Sequence, residues 1–153
     1  MFVKLPIKIT RLKEYSPDVA GEIRNLVQQE GKNYKELSEE DLKDILQSQN
    51  THLLVARNQE SKIVGMITVL IFRIPYVKKS TIEDLVVDVN LRGQGIGSQL
   101  MEEAVKVAKE NGAHYVDFTS RPRRDESNSL YEKLGFEKRE TNVYRHIFDY
   151  GEV

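Results

Sequence analysis

Cysteine is absent from the 153 residues. That excludes disulfides, thiolate-held metals and a cysteine nucleophile. Histidine is scarce: His52, His114 and His146 lie far apart with no pair at i, i+4 spacing, so no metal site is expected. Long apolar runs are missing too. No stretch of about 18 apolar residues occurs, and the start MFVKLPIKIT lacks the apolar run of a signal peptide. The expectation is a soluble cytoplasmic protein with no membrane partner. Neither sign of charge dominates: 23 Lys and Arg stand against 24 Asp and Glu, a formal net charge of -1. Nucleic acid is therefore not an expected partner. The four prolines, Pro6, Pro17, Pro75 and Pro122, each sit where an element should begin or end. There is no repeat, low-complexity stretch or linker.

What is present suffices for one domain spanning 1–153, with 39% hydrophobic and 31% charged residues. Lys8 to Leu12 reads as a short strand. Ser16-Pro17 marks a helix start, continued by Val19, Ile23, Leu26 and Val27 at helical spacing. Ser38 with Asp41 is a second start, a weaker variant of the capping box, which prefers Glu or Gln. Leu42, Ile45 and Leu46 give that helix its stripe. His52 to Arg57 and Ile63 to Phe72 read as a hairpin about a polar turn. Ile82 to Val89 is a further strand. Ile96 to Lys109 is an amphipathic helix with Ile96, Leu100, Ala104 and Ala108 on one face and Met101 and Val105 beside them. Tyr115 to Thr119 is a strand, Asp125 to Leu134 a short helix ended by Gly135, and Lys138-Arg139 with Val143 to Phe148 a closing hairpin. The fold class is α+β: a mixed, mostly antiparallel central sheet flanked by helices, in the order β-αα-βββ-α-β-α-ββ.

Arg92-Gly93-Gln94-Gly95-Ile96-Gly97 joins a strand to the amphipathic helix. The first N–H groups of a helix lack intrahelical partners and carry partial positive charge, so they attract an anion. Glycines allow close approach and positive φ, and Arg92 adds a cation. A pyrophosphate suits such a turn. It is not the Walker A loop, because Gly97 is followed by Ser98-Gln99 rather than Lys-Ser/Thr, and its glycines are spaced wrongly for the dinucleotide fingerprint.

In these residues the chain resembles the GNAT superfamily of N-acetyltransferases. Its cofactor motif, Gln/Arg-x-x-Gly-x-Gly/Ala, is met by Arg92, Gly95 and Gly97. Ile82 to Asp88 is similar to the family's fourth strand, and Tyr131-Glu132-Lys133-Leu134-Gly135-Phe136 to a second motif. The resemblance implies acetyl transfer from acetyl-CoA (coenzyme A) to an unidentified amine acceptor; a homodimer is left open. It implies pyrophosphate contacts from Arg92, Gly93, Gln94, Gly95, Ile96, Gly97 and Ser98. The pantetheine arm would pair with the backbone of Leu85, Val86 and Val87, where Val86 or Val87 would polarise the acetyl carbonyl. Asn128 would contact the pantetheine, although the family's asparagine is often further upstream, where this chain has Arg124.

The resemblance also implies that Tyr131 binds the cofactor, with its hydroxyl near the sulfur, and is the general acid for the departing thiolate. The base is Glu83 or Asp84. As strand neighbours their side chains should point to opposite faces, so only one can meet the acceptor; Glu83 is preferred, directly or through water. Ile-Glu-Asp-x-Val-Val is also similar to the corresponding strand of glucosamine-6-phosphate N-acetyltransferases. Arg121, Arg123 and Arg124 form a basic cluster that suits either phosphate or plain solvation. The acceptor would be met by the first two helices, their loop near 31–37, and a loop between Ile74 and Ser80. The alternative function is a non-catalytic acyl-CoA-binding regulatory module.

Overall fold

The computed structural model describes residues 5–31 and 36–149. The chain forms two compact units, one running to Phe118 and the other from Thr119 onward.

In the first unit the elements are β1 (Lys8–Arg11), α1 (Pro17–Gln29), α2 (Glu39–Gln47), β2 (Thr51–Arg57), β3 (Ile63–Ile74), β4 (Val77–Val87), a 3-10 turn (Val89–Leu91), α3 (Ile96–Glu110) and β5 (Val116–Asp117). They begin where the sequence punctuates. The Ser16 hydroxyl accepts from the Val19 N–H at 3.2 Å, ahead of Pro17. At α2 both arms of the capping box form. Asp41 N–H donates to Ser38 Oγ at 3.1 Å, and Ser38 N–H donates to Asp41 Oδ2 at 3.2 Å. Asp41 thus does the work expected of Glu. A cap of this kind is worth about 1 kcal/mol.

The five strands lie in sequence order, β1 to β4 antiparallel and β4 to β5 parallel. Helices α1 and α2 cover one face. Ala20, Ile23, Leu26 and Leu42 pack there with Leu53, Val55, Met66 and Val86. The other face carries α3. An added Cβ on Gly65 of β3 would come within 3.0 Å of Leu100 and 3.3 Å of Ile96, so helix and strand meet at close range. The α3 stripe is buried through Ile96, Leu100, Met101, Ala104 and Ala108, while Val105 is exposed. No helix among the described residues is long and apolar enough to cross a membrane.

Three expectations need correction. The segment from Ile74 to Ser80 is not a loop: β4 starts at Val77, and only Pro75 and Tyr76 make the turn. The strand expected at Tyr115 to Thr119 shrinks to Val116–Asp117. The closing hairpin does not form, since 137–149 carry no strand. Val143, Tyr144, Ile147 and Phe148 are all exposed there. β-rich residues make a strand only when a neighbouring ladder takes their N–H and C=O groups and a face takes their side chains. Among the described residues of the second unit the regular element is α4 (Asp125–Lys133).

Candidate functional site

The anion-ready turn is built as the sequence requires. Gly93 and Gly95 have φ of 77° and 81°, a region that side chains other than Asn and Asp seldom enter. Gly95 is the N-cap of α3 and offers no side-chain bond to the helix's first N–H groups. The contrast with the other helices is chemical. Ser16 and Ser38 cap α1 and α2, with Asp18 and with Glu39, Glu40 and Asp41 in their first turns; the first turn of α3 holds no acid. The backbone donors of Ile96, Gly97 and Ser98 therefore have neither a side-chain cap nor a carboxylate on their own turn, which fits a phosphate-bearing ligand. An added Cβ on Gly97 would lie 3.8 Å from Val87 and 4.0 Å from Leu85. These are ordinary contacts that set the helix start against β4.

Arg92 does not project freely. Its Nε donates to the Val87 carbonyl at 3.2 Å, and its guanidinium pairs with Glu30 at 3.0 Å. Gln29 adds a second tie by accepting the Val89 N–H at 2.9 Å. The C-terminal end of α1 is thus bound to the turn that feeds the glycines. Sequence reasoning missed Gln29 and Glu30, which carry no local signal and act about 60 positions away.

Strand β4 is bulged. Glu83 stands opposite Thr68 and Val86 opposite Met66, so two residues, Asp84 and Leu85, face the single Ile67. Asp84 takes a φ of 51°, in the left-handed region that Asp tolerates better than most. Strict alternation therefore fails, and with it the expectation that Glu83 and Asp84 simply point to opposite faces. Met66 and Thr68 share a face, so Glu83 and Val86 share it too although they are three apart. That is the face covered by α1 and α2. Both acids are exposed. Partial desolvation by its neighbours, then the charge of Asp84, raises the Glu83 pKa above the usual carboxylate value.

The register also separates Val86 from Val87. Asp88 N–H donates to the Val64 carbonyl at 2.9 Å. Antiparallel pairs alternate, so Val86 is bonded to Met66 and Val87 turns its N–H and C=O away from β3. On that second edge β4 pairs with β5 only at Ser80 and Thr81. From Ile82 to Val87 the edge has no strand partner among the described residues.

In the second unit, Tyr131 and Asn128 lie on α4. The Asn128 amide nitrogen donates to the Arg121 carbonyl at 3.3 Å and makes a longer contact to that of Pro122 at 3.5 Å, which ties the incoming loop to the helix and leaves the amide oxygen. Burial raises the Tyr131 pKa, against smaller downward effects from the Arg124 charge and a hydrogen bond with Ser127. Arg121, Arg123 and Arg124 are exposed.

Comparison with known proteins identifies the family of the chain. A family model described as "Acetyltransferase (GNAT) family" matches residues 21–136. A transcriptional regulator from Bacillus halodurans is similar over 92% of this chain and 100% of its own, with 29% identity and a TM-score of 0.75. An aminoglycoside acetyltransferase from an uncultured soil metagenomic sample matches 93% of this chain and 97% of its own, at 25% identity and TM-score 0.75. Glucosamine-6-phosphate N-acetyltransferase from Arabidopsis thaliana shares the fold at 21% identity, over 94% of this chain and 99% of its own, with TM-score 0.75. No curated protein matches the sequence.

Proposed function

We propose that this chain, which belongs to the acetyltransferase (GNAT) family, is an N-acetyltransferase passing an acetyl group from acetyl-CoA to a primary amine of a small molecule or peptide. The observation that carries this reading is the α3 start: an uncapped, acid-free helix N-terminus behind two positive-φ glycines. Backbone N–H groups of Ile96, Gly97 and Ser98, on a turn shaped by Gly93, Gln94 and Gly95, would hold the pyrophosphate. Arg92 would join them by giving up or sharing Glu30. The outward-facing backbone of Val87 would pair with the pantetheine arm, with Leu85 and Val86 lining the strand, and the remaining Asn128 oxygen would accept a pantetheine N–H.

The acetyl thioester supplies the activated acyl group. The chain's own residues handle protons. Glu83 takes one from the arriving ammonium, directly or through water, and its raised pKa makes it a better base than an ordinary exposed carboxylate. Tyr131 gives one to the departing thiolate. A phenol is protonated at neutral pH, and burial raises its pKa further. With no cysteine for an acyl-enzyme, transfer is direct, in a ternary complex. A cytoplasmic location belongs to the same proposal.

The test is an acceptor panel of amino sugars, aminoglycosides and peptides, with free CoA release as the readout. Amino sugars are included because two similar structures are described as glucosamine-6-phosphate and aminoglycoside acetyltransferases. Transfer to at least one amine is expected. A second reading, a regulatory acyl-CoA-binding module, takes its support from the neighbour described as a transcriptional regulator. Tight acetyl-CoA binding with no turnover on any amine would favour it.

A further inference from the structure

Helix α4 ends in a specific way. Leu134 is the C-cap, and Gly135 follows with φ of 86°. The Phe136 N–H donates to the Tyr131 carbonyl at 3.0 Å, and the Gly135 N–H donates to the Glu132 carbonyl at 3.0 Å. These are the two reverse bonds of a Schellman motif, in which the residue two past the cap returns over the last turn and packs on the residue three before it. Here those two residues are Phe136 and Tyr131. Their ring centroids lie 6.3 Å apart at an interplanar angle of 83°, an edge-to-face pair. Such a pair has a preferred geometry rather than mere contact.

The consequence falls on one side chain. Tyr131 sits in the final turn of a nine-residue helix, where ends fray and rotamers are least constrained by neighbours. Its staggered wells are about 120° apart, so a change of well carries the hydroxyl several ångströms. The Phe136 ring, held edge-to-face against it, blocks that freedom from one side.

We infer that Phe136 is a positioning residue for Tyr131: the bonds that end α4 bring its ring against the tyrosine and fix the direction of the phenol. This rests on the proposed role of Tyr131 as proton donor.

The test is a double-mutant cycle, read with acetyl-CoA and the best amine from the panel, on Phe136→Ala, Tyr131→Phe and the double variant. Phe136→Ala should lower kcat about ten- to a hundredfold, the scale of an ångström-sized misplacement, with KM for acetyl-CoA within twofold of wild type. Phe136→Leu, which restores apolar bulk, should recover part of the loss. The deciding result is the double variant. Tyr131→Phe keeps the ring and removes only the hydroxyl, so adding Phe136→Ala should cost nothing further. If the two losses multiply, or if Phe136→Ala turns over normally while Tyr131→Phe is impaired, Phe136 does not position Tyr131 and the acid assignment survives alone. If Tyr131→Phe itself turns over normally, the acid assignment fails and takes this inference with it. Should Phe136→Ala not fold, the cycle is run with Phe136→Leu, whose partial loss must likewise vanish in the Tyr131→Phe background.

Discussion

Replacing Gly95 by Asp and, separately, by Asn isolates what the α3 turn does. Gly95 has φ 81° and ψ 6°. Most L-residues pay about 1–2 kcal/mol in that region, Asn and Asp less. The two replacements are nearly the same size, tolerate the same backbone and can both offer an oxygen to the helix N–H groups. They differ by one negative charge. Without ligand, Asp should be at least as stable as Asn, because a carboxylate is favoured at a helix N-terminus.

With ligand the order reverses. At 100 times its dissociation constant, acetyl-CoA should stabilise the wild type by about 2.7 kcal/mol, or roughly 5–11 °C for a chain of this size. A carboxylate about 4 Å from one phosphate charge costs about 1 kcal/mol in bulk water and about 4 kcal/mol at a partly shielded site. Affinity for the Asp variant should therefore fall about five- to a thousandfold, and the thermal rise should shrink or vanish, while the Asn variant keeps most of it. Differential scanning fluorimetry at matched ligand concentrations reads all three. If Asn and Asp lose the response equally, charge at this turn is not what matters. An unchanged wild-type melting temperature in millimolar acetyl-CoA would remove the cofactor assignment altogether.

The paired acids give a second expectation. The Glu83 pKa is raised from 4.5 in the folded protein. Ionising Glu83 therefore costs stability: the cost builds as pH rises from 4.5 through the folded value and is complete above it. Glu83→Gln should be the more stable protein at neutral pH, with the difference fading in acid. The same variant should lose the acidic limb of kcat/KM, while Asp84→Asn, which removes the neighbouring charge, should move that limb to lower pH. If both keep the wild-type pH–rate profile, neither carboxylate is the base. A third expectation is structural. Gly65→Ala would press a methyl against Leu100 at 3.0 Å and the Val86 carbonyl at 3.2 Å. It should destabilise by about 1–3 kcal/mol, read by chemical denaturation; an unchanged midpoint would mean α3 can shift away from β3 without loss.

Elements that rest on local rules were legible in the sequence. Ser16-Pro17 and Ser38 start their helices because caps are decided within one turn, and the α3 stripe buries as its spacing requires. The glycine turn was readable for the same reason. What stayed hidden depends on partners distant in sequence. Val143 to Phe148 has strand-forming residues yet joins no ladder, since pairing is settled elsewhere in the fold. The Asp84 bulge exists because β4 must accommodate one extra residue against β3, a matter of register that neither strand states alone. Likewise nothing near Arg92 announces Glu30. The Tyr131 to Phe136 stretch is an intermediate case: its glycine marks a helix end, and the cap bonds that such a glycine allows bring the two rings together.

Among the described residues the second edge of β4 has no strand partner between Ile82 and Val87, and this has a consequence for colloidal behaviour. An open strand edge is a template on which another copy of the chain could zip, as in the first step of aggregation. A long incoming strand would need an unbroken row of donors and acceptors. Here it would meet the kink at Asp84 and two adjacent carboxylates after only a few rungs. A short, flexible partner with a couple of amide groups faces neither obstacle. The irregularity that disturbs the ladder thus interrupts a long pairing partner sooner than a short one.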